Sequence, residues 1–380
     1  MLKSRIPSPI PITEASQLAL LVARLAQQPV IAVDTESNSL YAYQEQVCLL
    51  QFSVPDADYL VDPLSGLDLI PLGEIFANPD IEKVFHAAEY DVMCLRRDFG
   101  WTFANLFDTM WAARVLGWPR SGLGNILQEK FDVQMNKSWQ RHDWGRRPLS
   151  SEALAYACLD THYLIPLREQ MMAELEQKER LQEAREFFVQ VAQVEPSFRT
   201  FDPDRCLWRV KKVRDLEPET RAVLRELLIW RDGEARRRNR PSFKVLNDQT
   251  LIALAQAQPK HVNQIQDVAG FKSYHVHRYG QKIVRAVLKG TQAKPPQPPP
   301  HPRRPSDEVF KRYKALRDWR KKVSGQRGVD SDVIISNAVL WTLAHHAPQT
   351  LDQLAKLNTL GAWKHKTYGE ALLNVLRQRR

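Results

Sequence analysis

Five oxygen-bearing side chains in the first 160 positions stand at spacings that could bind metal ions. Asp34 and Glu36 end a short apolar run, Val30–Val33. Side chains two positions apart on a β-strand project from the same face, so both carboxylates would point one way. Burying two like charges together is costly unless a cation lies between them. This pair therefore predicts a cation-binding strand end.

The other three groups come from segments that follow later in the chain. Asp91 follows a second apolar run and the turn His86-Ala-Ala88, whereas Tyr156 and Asp160 are spaced i, i+4 and share one face of a predicted helix. Hard oxygen ligands suit Mg²⁺ or Mn²⁺, and two such ions about 3.5–4 Å apart are the usual means of in-line phosphoryl displacement. The set therefore predicts two divalent cations, Mg²⁺ or Mn²⁺, as cofactors.

Short apolar and β-branched runs bounded by turn residues predict the strands that position these groups. The runs are Val30–Val33, Val47–Phe52, Tyr59–Val61 and Val84–Phe85. Helical periodicity predicts helices over Glu89–Phe99, Thr109–Leu116, Asn125–Phe131 and Ser151–Gln193. Strands that come early and close together, with helices after them, indicate a mixed sheet rather than a strict βαβ alternation.

Two later segments repeat each other at a constant offset of 89 residues. Trp230-Arg231 matches Trp319-Arg320, and Tyr279-Gly280 matches Tyr368-Gly369. The apolar matches fall at helical spacing, which predicts two copies of one small helical domain. A proline-rich run from Pro295 to Pro305 reads as a stiff spacer between them. The expected domains are residues 1–195, 205–290 (the first repeat) and 306–380 (the second repeat).

The charge of the chain is unevenly divided. The net charge is +10, with −9 over residues 1–200 and +19 over residues 201–380. An acidic half suits divalent cations, and a basic half suits polyanions such as nucleic acid. No apolar run approaches the roughly 18 residues that span a bilayer, so we expect no membrane association. Four widely spaced cysteines without CxxC spacing favour a reducing, cytoplasmic location.

The order of these motifs resembles that of the DEDDy class of 3′→5′ exonucleases, and of ribonuclease D in particular. The residues that carry the resemblance are Asp34-Thr-Glu36, His86-Ala-Ala-Glu-Tyr-Asp91, Asp108-Thr109, Asp143-Trp-Gly-Arg-Arg-Pro-Leu149 and Tyr156-Ala-Cys-Leu-Asp160. The two basic repeats are similar to the HRDC domains of ribonuclease D and of RecQ-type helicases. The resemblance implies an α/β RNase H-like catalytic domain with a mixed sheet, followed by two small all-α HRDC-type domains.

The resemblance also implies a role for each site residue. Asp34, Glu36 and Asp160 would hold the cation that activates the attacking water. Asp34, with Asp91 reaching through water, would hold a second cation near the leaving 3′ oxygen. Tyr156 would orient the water by hydrogen bonding, since a phenol with a pKa near 10 is a poor general base at neutral pH. All five residues form the expected catalytic set, and the four carboxylates form the expected metal-ligand set.

Basic residues in two regions are candidates for contacts to RNA phosphates. Those before the last motif are Lys137, Arg146 and Arg147, and those in the first repeat are Arg236, Arg237, Arg238, Arg240, Lys272 and Arg278. A charge run is usually a solvated surface. The second repeat carries a basic stretch at the equivalent place, residues 321–327, and this recurrence favours a polyanion-binding surface.

Together these features predict a metal-dependent 3′→5′ exoribonuclease that releases nucleoside 5′-monophosphates. The resemblance suggests RNA 3′ ends as the substrate, in tRNA precursors or other structured RNA, and implies no protein partner. Two alternatives stay open: the same chemistry on DNA, because nothing here visibly reads the 2′-hydroxyl, and a non-catalytic nucleic-acid-binding scaffold. Matched RNA and DNA substrates, with and without a chelator, distinguish the three.

Overall fold

The computed structural model describes residues 8–198, 200–271, 273–300 and 304–378, except for the side chain of Lys137. Contacts between residues divide the chain into two compact units. Unit 1 comprises residues 1–36, 47–197 and 303–380, and unit 2 comprises residues 37–46 and 198–302. The second repeat thus belongs to the same unit as the predicted catalytic domain, and the segment 37–46 belongs to the same unit as the first repeat.

A mixed sheet of six strands forms the centre of unit 1. The strands are β1 (Ile10–Ile12), β2 (Val30–Ser37), β3 (Val47–Val54), β4 (Ala57–Val61), β5 (Glu82–Phe85) and β6 (Leu106–Asp108). Their order across the sheet is β1-β4-β3-β2-β5-β6. β5 is parallel to both β2 and β6, β1 is parallel to β4, and β3 is antiparallel to β4. The mixed sheet predicted from the sequence is confirmed.

Eight helices of unit 1 precede the first repeat in the described chain. They are α1 (Ala15–Ala26), α2 (Ile70–Ala77), α3 (Glu89–Phe99), α4 (Thr109–Leu116), α5 (Leu123–Phe131), α6 (Ser151–His162), α7 (Leu164–Gln177) and α8 (Leu181–Ala192). Short 3₁₀ helices cover Pro63–Ser65 and Lys137–Arg141. The single helical stretch expected over Ser151–Gln193 is therefore three helices, with breaks at Tyr163 and at residues 178–180.

The strand that carries the first two predicted site residues lies inside the sheet. β2 has β3 on one side and β5 on the other, and Ile31, Ala32 and Val33 are 0% exposed. Every residue of β3 is buried as well. Because apolar packing fixes both strands, the carboxyl end of β2 is held on a rigid support.

Both repeats are helical, and each of the five helices of the second repeat has a counterpart in the first. Unit 2 contains α9 (Pro203–Arg209), α10 (Pro218–Arg237), α11 (Ser242–Val245), α12 (Asp248–Ala257) and α13 (Ser273–Gln292), with 3₁₀ turns at Val213–Asp215 and Val262–Asp267. The second repeat contains α14 (Asp307–Arg327), α15 (Ser331–Ile334), α16 (Asn337–His346), α17 (Leu351–Lys356) and α18 (Ala362–Arg377). The first residues of α14 to α18 follow those of α10, α11, α12, the second 3₁₀ turn and α13 by the same 89 positions.

Two further expectations concern the membrane and the cysteines. Among the described residues, no helix combines the length and the apolar character needed to cross a bilayer. In the described part of the chain, Cys48, Cys94, Cys158 and Cys206 form no disulfide, and the first three are buried. The cytoplasmic location expected from the cysteines stays a prediction.

Candidate active site

The structure brings the four predicted carboxylates together around the end of β2. Asp34 and Glu36 lie on β2, Asp91 lies in the first turn of α3, and Asp160 lies near the end of α6. Asp91 and Asp160 are only 6% and 8% exposed. The carboxylates are close enough to repel one another, since Asp160 and Asp91 both raise the pKa of Glu36. Groups from three separate elements thus share one site.

The electrostatics of this site favour protonated carboxyl groups when no cation is bound. Burial, followed by repulsion from Asp160 and Asp91, raises the pKa of Glu36 to about 9. Burial and Asp91 raise the pKa of Asp160 to about 8, and burial is the main cause that raises the pKa of Asp91 to about 7. The pKa of Asp34 is raised well above its ordinary value by burial and by the other three carboxylates.

Tyr156 lies beside the carboxylates on the buried side of α6. It is 6% exposed, and burial together with Asp160, Glu36 and Asp34 raises the pKa of its phenol well above the ordinary value. The phenol therefore keeps its proton at neutral pH. The ring of Trp144, itself 1% exposed, packs near that of Tyr156 with 6.3 Å between the ring centroids. Trp144 belongs to the motif Asp143–Leu149, which contributes to the family resemblance, but no spacing rule places it beside Tyr156.

The hydroxyl of Thr35 is a site group that sequence reasoning missed. It donates a hydrogen bond to Oδ1 of Asp91, and both residues are buried. Alternation along β2 places Thr35 on the face opposite Asp34 and Glu36, so no spacing rule connects it with the metal-ligand set. This bond ties the carboxylate of α3 to β2 and so fixes the position of Asp91 relative to the other ligands.

Asp108 and His86, which belong to the motifs of the resemblance, have structural partners. Asp108 accepts backbone hydrogen bonds from Ala87 and Ala88, in the turn before α3, and from Met110 and Trp111 in the first turn of α4, at 2.8–3.2 Å. Nδ1 of His86 lies 2.9 Å from the hydroxyl of Thr109. Burial lowers the pKa of His86 to about 4, so its imidazole is neutral. These groups fix the turn that precedes Asp91.

Arg147 was expected to contact phosphate, but the structure uses its whole guanidinium internally. Nε and Nη2 donate to the two carboxylate oxygens of Asp62, each at 2.6 Å. The remaining N–H groups donate to the backbone carbonyls of Cys48, Trp144 and Arg146 at 2.7–2.9 Å. All five donors are occupied, so a phosphate could be bound only by breaking these bonds. Arg146 is exposed, and the side chain of Lys137 lies outside the described residues.

The basic residues predicted to bind phosphate in the first repeat differ in their exposure and in their ion pairs. Arg236 and Arg240 are exposed, and in the described part of the chain their side chains form no ion pair. Arg237 and Arg238 both form ion pairs with Glu234. Because the side chain of Glu234 is buried, its negative charge would be costly without these two partners. Arg278 is exposed, with its guanidinium 5.3 Å from the centroid of the Tyr274 ring. Lys272, the remaining candidate, lies outside the described residues.

Comparison with known proteins identifies the family. Residues 9–176 match the 3'-5' exonuclease family, and residues 220–287 and 309–376 each match the HRDC domain. A ribonuclease D of Nitrobacter hamburgensis is 31% identical over 371 residues, which cover 95% of this chain and 94% of that protein. The chain belongs to the ribonuclease D family. It is a 3′→5′ exoribonuclease, as the motif order predicted.

Two further relatives match this chain along nearly its whole length. The ribonuclease D of Acidiphilium cryptum is 32% identical over 377 residues, covering 97% of this chain and 93% of the relative. The crystal structure of Escherichia coli RNase D superposes with a TM-score of 0.70 at 26% identity, covering 98% and 99% of the two chains. The predicted fold class, an α/β exonuclease domain followed by helical HRDC domains, is confirmed.

The donor set of the site fits the divalent metal ions on which exonucleases of this family depend. Asp34, Glu36, Asp91 and Asp160 offer only carboxylate oxygens, which are the ligands that Mg²⁺ and Mn²⁺ prefer. Their mutually raised pKa values show that each carboxylate makes it more costly for the others to ionise. A cation bound among them would remove this repulsion.

Proposed function

We propose that this exoribonuclease releases nucleoside 5′-monophosphates from RNA 3′ ends with two divalent cations, Mg²⁺ or Mn²⁺. The cluster of four carboxylates that raise one another's pKa values is the observation that supports this proposal. Asp34, Glu36 and Asp160 would hold one cation, and Asp34 and Asp91 the other. Such cations would lower the pKa of bound water and would stabilise negative charge on the phosphate.

The remaining site residues position these groups and the water. Tyr156 keeps its proton, because burial and three carboxylates raise the pKa of its phenol, so it donates a hydrogen bond and does not abstract a proton. The hydroxyl of Thr35 holds Asp91 in place. Asp108 fixes the turn before α3, and Arg147 ties the segment before α6 to Asp62. In this proposal only Tyr156 and the carboxylates contact the reacting groups or the cations.

We further propose that the substrate is structured RNA with a free 3′ end, such as a tRNA precursor. Arg236, Arg240 and Arg278 of the first repeat are exposed, and none of them forms an ion pair with a carboxylate of the residues that the structure describes. Arginines of this kind bind phosphates irrespective of sequence and add affinity for large RNAs. The Escherichia coli RNase D of known structure is described as an exoribonuclease involved in structured RNA processing.

The proposal is tested by comparing RNA and DNA of one sequence, each labelled at the 5′ end, in Mg²⁺, in Mn²⁺ and in EDTA. A hairpin with a single-stranded 3′ tail serves as the structured substrate. We expect the RNA to shorten one nucleotide at a time, with 5′-monophosphates as the released product and no reaction in EDTA. Hydrolysis that continues in EDTA, or nucleoside 3′-monophosphates as products, would contradict the mechanism. Equal rates on DNA would contradict the RNA preference.

A further inference from the structure

A second group of metal-ligating side chains lies in unit 1, outside the carboxylate site. It consists of Asp58 on β4 and of Cys158 and His162 on α6. A carboxylate oxygen, the thiol sulfur and an imidazole nitrogen of these residues all lie within 4.8 Å of one another. Asp58 and Cys158 are 3% and 1% exposed, whereas the side chain of His162 is 26% exposed. The group is therefore buried but reached by solvent from one side.

Hydrogen bonds already gather the three side chains around the carboxylate of Asp58. Nδ1 of His162 lies 2.8 Å from Oδ2 of Asp58, and the thiol of Cys158 also bonds to this carboxylate. Ser53 donates to Oδ1 at 2.5 Å and so holds the carboxylate from the other side. The carboxylate of Asp58 thus accepts hydrogen bonds from both His162 and Cys158. A cation bound among the three side chains would take the place of the two bridging protons.

The helix geometry favours chelation. Cys158 and His162 are spaced i, i+4, so one face of α6 presents both, as in helices that bind zinc through two histidines at this spacing. Asp58 on β4 supplies the third ligand, from a different secondary-structure element. Three protein ligands leave a fourth tetrahedral position for water.

We propose that Asp58, Cys158 and His162 form a second metal site of this protein, specific for a thiolate-binding ion of the Zn²⁺ class. Sulfur and imidazole ligands select such ions, whereas the all-oxygen set of Asp34, Glu36, Asp91 and Asp160 selects Mg²⁺ or Mn²⁺. The two sites therefore discriminate between ions by donor type.

The binding step balances in charge and protons. The metal ion bonds to the sulfur of Cys158 and displaces its proton, which leaves to solvent. It bonds to Nδ1 of His162, whose proton moves to Nε2, so the imidazole stays neutral. One carboxylate, one thiolate and one divalent ion then sum to zero charge, which suits a buried site. Before binding, the same residues carry one negative charge.

Helix α6 carries residues of both the exonuclease site and the proposed Zn²⁺-class site. Tyr156 and Asp160 flank Cys158 at two residues on either side, on the same helix. An ion bound at Cys158 and His162 ties this helix to β4 at Asp58. We therefore expect the bound ion to raise the thermal stability of the protein.

The test uses Co²⁺ as the probe, because it occupies the donor sets of Zn²⁺ and gives a thiolate-to-metal charge-transfer band in the near ultraviolet. The full chain is titrated in excess Mg²⁺, which occupies the carboxylate site. We expect the band to saturate at one equivalent of Co²⁺ and to disappear when Zn²⁺ is added. The variant Cys158→Ala should lack the band. The variant Cys206→Ala, which removes a thiol elsewhere, should keep it.

The charge-transfer band does not depend on exonuclease activity. The second metal site can therefore be disproved while the exonuclease mechanism stands, and the exonuclease mechanism can be disproved while the second metal site stands. Asp34→Asn should abolish hydrolysis and keep the charge-transfer band. Where Cys158→Ala does not fold, His162→Gln at the partly exposed ligand gives the same test, with at least about tenfold weaker Co²⁺ binding. Absence of the band in the native chain, or its persistence in Cys158→Ala, would overturn the second metal site.

Discussion

Glu183 of α8 and Arg327 of α14 form a buried ion pair within unit 1. Nη1 and Nη2 of Arg327 lie 2.8 Å and 2.5 Å from the two carboxylate oxygens of Glu183, which is 0% exposed. Arg327 is the counterpart of Arg238 in the first repeat, which pairs with Glu234 of its own module. The counterpart of Glu234 is Val323, so the second repeat takes this carboxylate from α8 instead. The pair ties the second repeat to the exonuclease domain.

Removing the charge of Glu183 should therefore destabilise unit 1. Glu183→Gln leaves the guanidinium of Arg327, whose side chain is 20% exposed, without its negative partner. Breaking one side of a buried ion pair costs about 3 kcal/mol or somewhat more. We expect a loss of this size in the free energy of unfolding of the full chain, measured in urea.

Two variants make this measurement specific to the ion pair. Glu169→Gln removes one negative charge from an exposed position of α7 and should change stability by no more than about 0.5 kcal/mol. The double variant Glu183→Leu/Arg327→Met replaces both charges by apolar groups and should be more stable than Glu183→Gln. Strictly additive losses for the two positions would show that they do not interact.

The parts of the active site that sequence predicts well are those that depend on local periodicity. Alternation along β2 places Asp34 and Glu36 on one face, and the i, i+4 spacing places Tyr156 beside Asp160. The position of Asp91 depends instead on β5 lying next to β2 in the sheet. No local rule fixes that order, so the strand and turn before Asp91 make it a candidate ligand without placing it beside Asp34 and Glu36.

Polar contacts between residues far apart in the chain cannot be predicted from local sequence periodicity. The segment 37–46 was expected to belong to the catalytic domain, yet it packs in unit 2, where the hydroxyl of Tyr43 donates to Asp232 at 2.8–2.9 Å. The five bonds of Arg147 likewise join residues far apart in the chain. The break before α7 did have a signal, because Pro166 lies in its first turn, where a helix tolerates proline.

Raised carboxyl pKa values predict how the stability of the metal-free protein depends on pH. The carboxyl groups of the site hold more protons in the folded chain than in the unfolded chain between about pH 4 and pH 9, the range between the ordinary carboxyl pKa and that of Glu36. Their contribution to the free energy of unfolding must therefore fall as the pH rises through this range. We expect the melting temperature in EDTA to fall from pH 5 to pH 9, and added Mg²⁺ to raise it most at high pH.

The variant Asp34→Asn provides the control for this pH dependence. It removes one of the repelling charges, so in EDTA at pH 8 it should melt at a higher temperature than the native protein and show a smaller pH dependence. A native protein whose melting temperature in EDTA changes with pH no more than that of Asp34→Asn would contradict the electrostatic picture of the site.

Tyr156 and Asp160 should differ in how much activity their loss removes. Asp160→Ala deletes a proposed metal ligand, and several kcal/mol of transition-state stabilisation correspond to at least about a thousandfold loss in kcat. Tyr156→Phe deletes only one hydrogen bond, which corresponds to a loss of about 10- to 100-fold. Single-turnover rates on a labelled oligoribonucleotide measure both. A larger loss for Tyr156→Phe than for Asp160→Ala would require a different role for the phenol.

The exposed arginines of the first repeat should govern how RNA binding depends on salt. The double variant Arg236→Gln/Arg240→Gln removes two phosphate contacts, so the slope of log affinity against log salt should become shallower by about 1.4 for contacts to the single-stranded tail and about 1.8 for contacts to the stem. Affinity for the hairpin substrate is measured at several salt concentrations with an Asp34→Asn background to prevent hydrolysis. The matched control, Lys311→Gln/Lys314→Gln, removes the same charge from exposed positions of the second repeat that lie outside its basic stretch 321–327. An equal change of slope in both double variants would mean that the arginines act only through net charge, and that the first repeat holds no dedicated phosphate-binding surface.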